Sequence, residues 1–186
     1  MKTGNIILLV CIVLLIVIVA VVVFAITAHK KTMNKLNENI FNLLSDLISD
    51  QEAKVEKTTA YGFQYKIIEK NRITYVCTIY NPKCSEILIN SKIKWQIKEN
   101  PTDDSLVFID NIVKPMMSEI KDDKEVKKLF IIYPNARQLM IATNECEYAF
   151  IYPKTDIYGA SVVTYNRLLY TCLLYTSDAA DDRISV

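Results

Sequence analysis

The chain is poor in the residues on which several common chemistries depend. Three glycines, Gly4, Gly62 and Gly159, serve 186 residues. A loop that cradles phosphate needs several, because backbone amides turn inward freely only where no Cβ intervenes, so Walker-type and dinucleotide-binding readings are disfavoured. The single histidine, His29, lies just after a long apolar run, which leaves no imidazole for a catalytic triad further along. Cys11, Cys77, Cys84, Cys146 and Cys172 include no Cys-x-x-Cys pair, and with one histidine they do not make a zinc site of the usual Cys/His type. Cys77 and Cys84 could close a disulfide on a hairpin, but buried free thiols are the expectation. Net charge is small as well, at +1, without the basic excess of an electrostatic nucleic-acid binder. No catalytic residue, metal ligand set or cofactor motif can be named, and no nucleic-acid partner is expected.

Apolar residues, in contrast, are abundant at 51%, and many sit in one N-terminal block. From Ile6 to Ile26 no residue is charged. A helix of about 21 residues at about 1.5 Å rise spans roughly 31 Å, the thickness of a bilayer's hydrocarbon core. The segment has no polar face with which a water-soluble helix would meet solvent. The reading is a transmembrane anchor over residues 1–28, with the lipid bilayer as its partner. A cleavable signal peptide, cut after Ala25 or Ala28, is the rival, but signal cores usually run only about 7 to 15 residues. Lys30, Lys31 and Lys35 follow the anchor and only Lys2 and the terminal amine precede it. The positive-inside rule then sets the soluble domain in the cytoplasm of a single-pass protein of the cell membrane.

The last residues resemble a translated sequencing adapter. The transposase mosaic end and its extension contain TGT CTC TTA TAC ACA TCT GAC GCT GCC GAC, which encodes CLLYTSDAAD, the run that begins at Cys172. Residues 172–186 are therefore expected not to be native, and the soluble domain, 58–171, to be a truncated piece. That stretch holds Asp178, Asp181, Asp182 and Arg183, so without it the net charge rises by two. Lysine outnumbers arginine 18 to 4, a bias that fits an AT-rich coding sequence rather than a function.

Past the anchor, Met33, Leu36, Ile40, Leu43, Leu44, Leu47 and Ile48 recur at spacings of three and four. This predicts a juxtamembrane amphipathic helix within 29–57, laid on the following domain. Three β-rich runs come next: Tyr61 to Ile68, Arg72 to Tyr80, and Glu86 to Ile97 with apolar residues at odd positions. Short polar turns between them predict an antiparallel meander, with Trp95 buried on the face it shares with Ile93 and Ile97. A short strand at Leu106 to Ile109 leads to a helix over Asn111 to Ile120. A strand at Leu129 to Tyr133, a helix capped by Asn135 and running to about Glu145, and a strand at Tyr148 to Tyr152 read as a βαβ unit with parallel strands. Val162 to Leu169 supplies a last strand. The fold class expected is α+β, a mixed sheet with a three-stranded meander and a βαβ unit behind one N-terminal transmembrane helix.

The order helix, three strands, helix, strand resembles the core topology of restriction-endonuclease-like nucleases. Their metal site needs an aspartate on one strand and Glu-x-Lys on the next. Acid-x-Lys occurs at Glu52/Lys54, Glu119/Lys121, Asp122/Lys124 and Glu125/Lys127, all in segments expected to be helix or turn. The strand that should match carries Lys92, Lys94 and Trp95 instead. The topology is compatible and the site is missing, and fold alone does not carry function.

Two loops stand out. Asn135-Ala136-Arg137 sets an arginine in the first turn of the expected helix, where free amides help to bind an anion; a plain cap with an exposed arginine is the simpler reading. Tyr152-Pro153-Lys154-Thr155-Asp156, running on to Tyr158-Gly159, could be an aromatic recognition loop, against the simpler reading of a turn. The functional expectation is a membrane-anchored, non-enzymatic interaction or structural module with a protein partner. An anchored enzyme whose active site is absent here or lies beyond the truncation is the alternative.

Overall fold

A computed structural model describes residues 3–49, 51–100, 102, 105–144, 147–152 and 155–168. Cys146 and residues 172–186, with the adapter reading attached to them, lie outside that set. The chain divides after Asp46 into two units.

The first unit is helix α1, Thr3–Leu47. No proline or glycine interrupts it after Gly4. The large apolar side chains from Ile12 to Ile26 are 50 to 75% exposed on every side, and the helix is long and apolar enough to cross a membrane. Thr27 donates its hydroxyl back to the carbonyls of Val23 and Phe24, and Thr32 does so to Ala28, so these polar groups are satisfied within the helix. Further on, Leu36, Ile40 and Leu44, four residues apart, are the buried stripe. The helix ends at Leu47, and Lys54–Lys57 is a strand, so the helical part of 29–57 is shorter than the sequence predicted.

The second unit is α+β, with two mixed five-stranded sheets. In chain order its strands are β1 (Lys54–Lys57), β2 (Tyr65–Ile68), β3 (Arg72–Tyr80), β4 (Glu86–Ile89), β5 (Trp95–Lys98) and β6 (Leu106–Phe108). Helix α2 (Asp110–Met116) follows, then β7 (Glu125–Tyr133), β8 (Gln138–Ala142), β9 (Tyr148–Phe150) and β10 (Ala160–Thr164). One sheet runs β1-β2-β3-β7-β10, antiparallel up to β3 and parallel beyond it. The other runs β6-β5-β4-β8-β9, antiparallel except for the parallel pair β4 and β8.

Burial explains the hydrophobic patterns. β4 and β5 alternate, with Ile87, Ile89, Trp95 and Ile97 inside and their neighbours half-exposed, as in a sheet covered on one face. β3 and β7 are buried on both faces in their second halves, at Tyr75 to Ile79 and Phe130 to Ile132, and such strands read as continuous apolar runs. Between the sheets lies one core built from Tyr75, Cys77, Ile79, Phe130, Ile132 and Val162 on one side and Ile87, Ile89, Trp95, Ile97 and Leu139 on the other. Trp95 and Phe130 meet across it with ring centroids 5.0 Å apart. α2 closes one end through Val113, Met116 and Met117; its Asp110 accepts the N–H of Trp95 at 2.9 Å, fixing the start of β5.

Several expectations need correction: the run Tyr61 to Ile68 is strand only from Tyr65, and the last strand ends at Thr164, with 165–168 helical. The run Glu86 to Ile97 is two strands joined by a turn at 90–94, in which Ile93 is exposed; Trp95 is buried, but not on a face shared with Ile93. The three runs do not form one meander, because β3 and β4 belong to different sheets. The segment expected to be a helix from Asn135 to Glu145 contains strand β8, which pairs with β4 and β9. The expected βαβ unit is therefore absent. β7 has its parallel partners in β3 and β10, and the chain passes through the other sheet between them. At matching ends of the three parallel strands, Tyr80 stacks on Tyr133 with centroids 6.0 Å apart, and Tyr165, just past β10, meets Tyr133 edge-on at 5.2 Å.

Candidate functional site

At one end of the sandwich, where the chain crosses from β7 to β8 and where β9 and β10 finish, lies a cavity of about 340 Å³. Its polar lining is Arg137, Gln138, Thr164 and Arg167, with Phe150 and Tyr152 beside them. Ala136, Leu139 and Ile151, all buried, complete the apolar lining. This volume suits a small ligand or one end of a larger one.

Local hydrogen bonds set the positions. The Tyr133–Pro134 peptide bond is cis, and the chain then runs past Asn135 into β8. Arg137 donates its N–H to the Ser85 carbonyl at 2.6 Å, which ties the crossover to the start of β4. Asn135, expected to cap a helix, instead accepts the N–H of Asn166 at 2.7 Å. That bond joins the stretch after β10 to the crossover and brings Arg167 and Arg137 to one cavity. The N–H of Arg167 reaches the Thr164 hydroxyl at 3.4 Å. On the third side, Ile151 donates to Leu139 at 2.8 Å, holding β9 to β8 up to Tyr152. Tyr152 and Thr155 then bond reciprocally, Tyr152 N–H to Thr155 Oγ1 at 3.3 Å and Thr155 N–H to the Tyr152 carbonyl at 3.1 Å. The turn beyond is tight: Tyr158 and Gly159 have φ of 55° and 83°, and Ile157 and Ala160 exchange backbone hydrogen bonds.

The two loops that the sequence singled out thus meet, Arg137 from the first and Tyr152 from the second. Arg167 was not singled out, because nothing local marks it; only the fold brings it to the others. Its rarity is the one usable signal. Three arginines precede the adapter-like stretch, Arg72, Arg137 and Arg167, and the last two line this cavity. Among the described lining residues none is acidic and two are arginines, so the described lining is positively charged.

The acid-x-Lys pairs lie elsewhere. Glu125 and Lys127 are on β7, a strand rather than a helix or turn, and pair with each other at 3.1 Å. Arg72 and Thr74 are their register partners on β3, where a nuclease site would need an acid. Among the described residues no group of three or more His, Cys, Asp or Glu residues is placed to hold a metal ion. Cys77 and Cys84 are free and buried, and burial pushes both thiols up to about 12. Such thiols are inert at neutral pH. Lys128, whose pKa burial lowers, donates to the Ser118 carbonyl just past α2 at 2.6 Å.

No protein-family model, curated protein or solved structure matches the chain.

Proposed function

We propose that this chain is a single-pass membrane protein whose α+β domain is a non-enzymatic recognition module that binds an anionic group. α1 is the anchor and the bilayer its partner. The observation that carries the reading is the cavity lining: two of the three arginines before the adapter-like stretch line one cavity, with no acid among its described lining residues. A guanidinium is charged at physiological pH and has no lone pair with which to take a proton. Two of them attract and orient an anion through charge-assisted hydrogen bonds, which is the work of a binding site. The domain faces the cytoplasm. Lys30, Lys31 and Lys35 outweigh the charges before the anchor, and that compartment keeps Cys77 and Cys84 reduced.

The test is a melting experiment on the full chain in lipid nanodiscs, titrated with inorganic phosphate and with benzoate. A ligand at about 100 times its Kd adds about 2.7 kcal/mol of stability. At least one anion should raise Tm, and the Arg137→Gln/Arg167→Gln double variant should lose the rise. A Tm indifferent to both anions refutes the reading.

A further inference from the structure

We infer that the anion is the terminal carboxylate of a peptide that adds as a strand to β9; this rests on the anion-binding reading above. Among the described residues, β9 is the outermost strand of its sheet and pairs only with β8. The register sets Phe150 opposite Met140 and Tyr148 opposite Ala142. The flanking bonds, Ile151 N–H to Leu139 and Thr143 N–H to Glu147, make 151/139 and 143/147 the hydrogen-bonded positions. Antiparallel pairs alternate, so the backbone groups of Tyr148 and Phe150 turn away from β8 to the open edge. All three residues of β9 are exposed, and two are aromatic. An extended chain laid there gains main-chain hydrogen bonds and aromatic surface, the usual terms of strand addition.

The end of that edge defines what can bind. At Tyr152 the backbone N–H and carbonyl are already taken by Thr155. A ladder on β9 therefore stops after Phe150, and the cavity begins there, lined by Phe150, Tyr152 and the two arginines. A peptide running parallel to β9 brings its last residue to this point. Its carboxylate meets Arg137 and Arg167, and its final side chain meets the apolar lining. An internal segment would have to turn away where the ladder stops, and it brings no carboxylate of its own backbone.

The experiment uses the full chain in nanodiscs and fluorescein-labelled peptides of roughly eight residues, long enough to cover a short strand. Each peptide ends in an apolar residue and is made both as the free acid and as the amide. Charge-assisted hydrogen bonds are worth enough that amidation should weaken binding by about tenfold or more. Arg137→Gln and Arg167→Gln should each weaken binding of the acid similarly, and by a larger factor than they weaken any residual binding of the amide. Tyr148→Pro removes an edge N–H at the first position of the strand, where proline is tolerated. It should weaken peptide binding while leaving binding of inorganic phosphate intact, because Tyr148 does not line the cavity. Equal binding of acid and amide overturns the inference. So does a chain that binds phosphate through its arginines and binds none of the peptides, an outcome that leaves the anion-binding reading standing. Failure to bind phosphate, benzoate and every peptide overturns both.

Discussion

Replacing Trp95 tests the central packing of the domain most directly. Its side chain is wholly buried between the sheets and against Phe130. A side chain of this size removes about 150–250 Å² from water, which at about 25 cal/mol per Å² is roughly 4 to 6 kcal/mol. Trp95→Ala should therefore cost about 3 to 5 kcal/mol, in line with other large-to-small core changes. That is a large part of the roughly 5 to 15 kcal/mol that holds a typical domain together. Trp95→Phe should cost much less. It keeps most of the ring volume, and it removes an indole Nε1–H that is buried without a hydrogen-bond partner among the described residues, a group whose desolvation opposes folding. Urea unfolding of the nanodisc-held chain, followed by circular dichroism, gives both values. Because this is the only tryptophan, the parent protein also offers a clean optical check, with blue-shifted emission that acrylamide quenches poorly. A Trp95→Ala cost under about 1 kcal/mol, or free quenching, would sink the two-sheet core.

Alkaline pH should destabilise the domain. The Cys77 and Cys84 thiols and the Tyr65 phenol are raised to about 12 by burial, so above their unfolded pKa values of about 9 to 10 the unfolded chain binds fewer protons than the folded one. Stability then falls as pH rises from about 9 towards 12; a urea midpoint flat across that range would contradict the burial of these groups. At neutral pH neither thiol should react with a thiol-specific disulfide reagent until the chain is unfolded, and fast native labelling of either would count against it. Gly62→Ala and Gly159→Ala each force a side chain into φ of +83° and should cost about 1 to 2 kcal/mol. Gly62 should be the dearer, since a Cβ there would stand 3.3 Å from Met116 Cε whereas Gly159 has open space; the reverse order in thermal melts would refute the account. An alkaline phosphatase domain, active only outside the cytoplasm, should stay silent when fused after Asp50, and strong activity would reverse the orientation.

Part of this fold was legible because local chemistry and tertiary packing agree. β3 was read to the residue, since nine β-branched, aromatic and polar residues run unbroken to Asn81-Pro82. The turn at 90–94 was missed for a reason of parity: Ile87 and Ile89 before it and Trp95 and Ile97 after it are all odd-numbered, and Ile93 kept the rhythm. Asn90-Ser91 was the better signal. β8 was misread because Gln138, Leu139, Met140 and Ala142 are good helix formers. Pairing with β4, about fifty positions earlier, overrides that preference, and no local pattern encodes it. The cavity was illegible for the same reason: its lining comes from three separated segments, joined by the Asn135–Asn166 and Ile151–Leu139 bonds, which no local pattern encodes.

The route of the chain between the sheets bears on biosynthesis. β7, the strand at the heart of the parallel region, lies between β3 and β10, and β10 is the last of the described strands in chain order. Contacts between strands so far apart in sequence form late. The apolar helix emerges first, while the domain behind it is still an open chain, with its thiols and the apolar faces of β3 and β7 uncovered. The unfinished domain is a substrate for chaperones during that interval. Nascent chains stalled with β10 still inside the exit tunnel are expected to be cleaved readily by protease, whereas chains released past Leu168 resist it; resistance at the earlier stall would show that the two sheets close without β10.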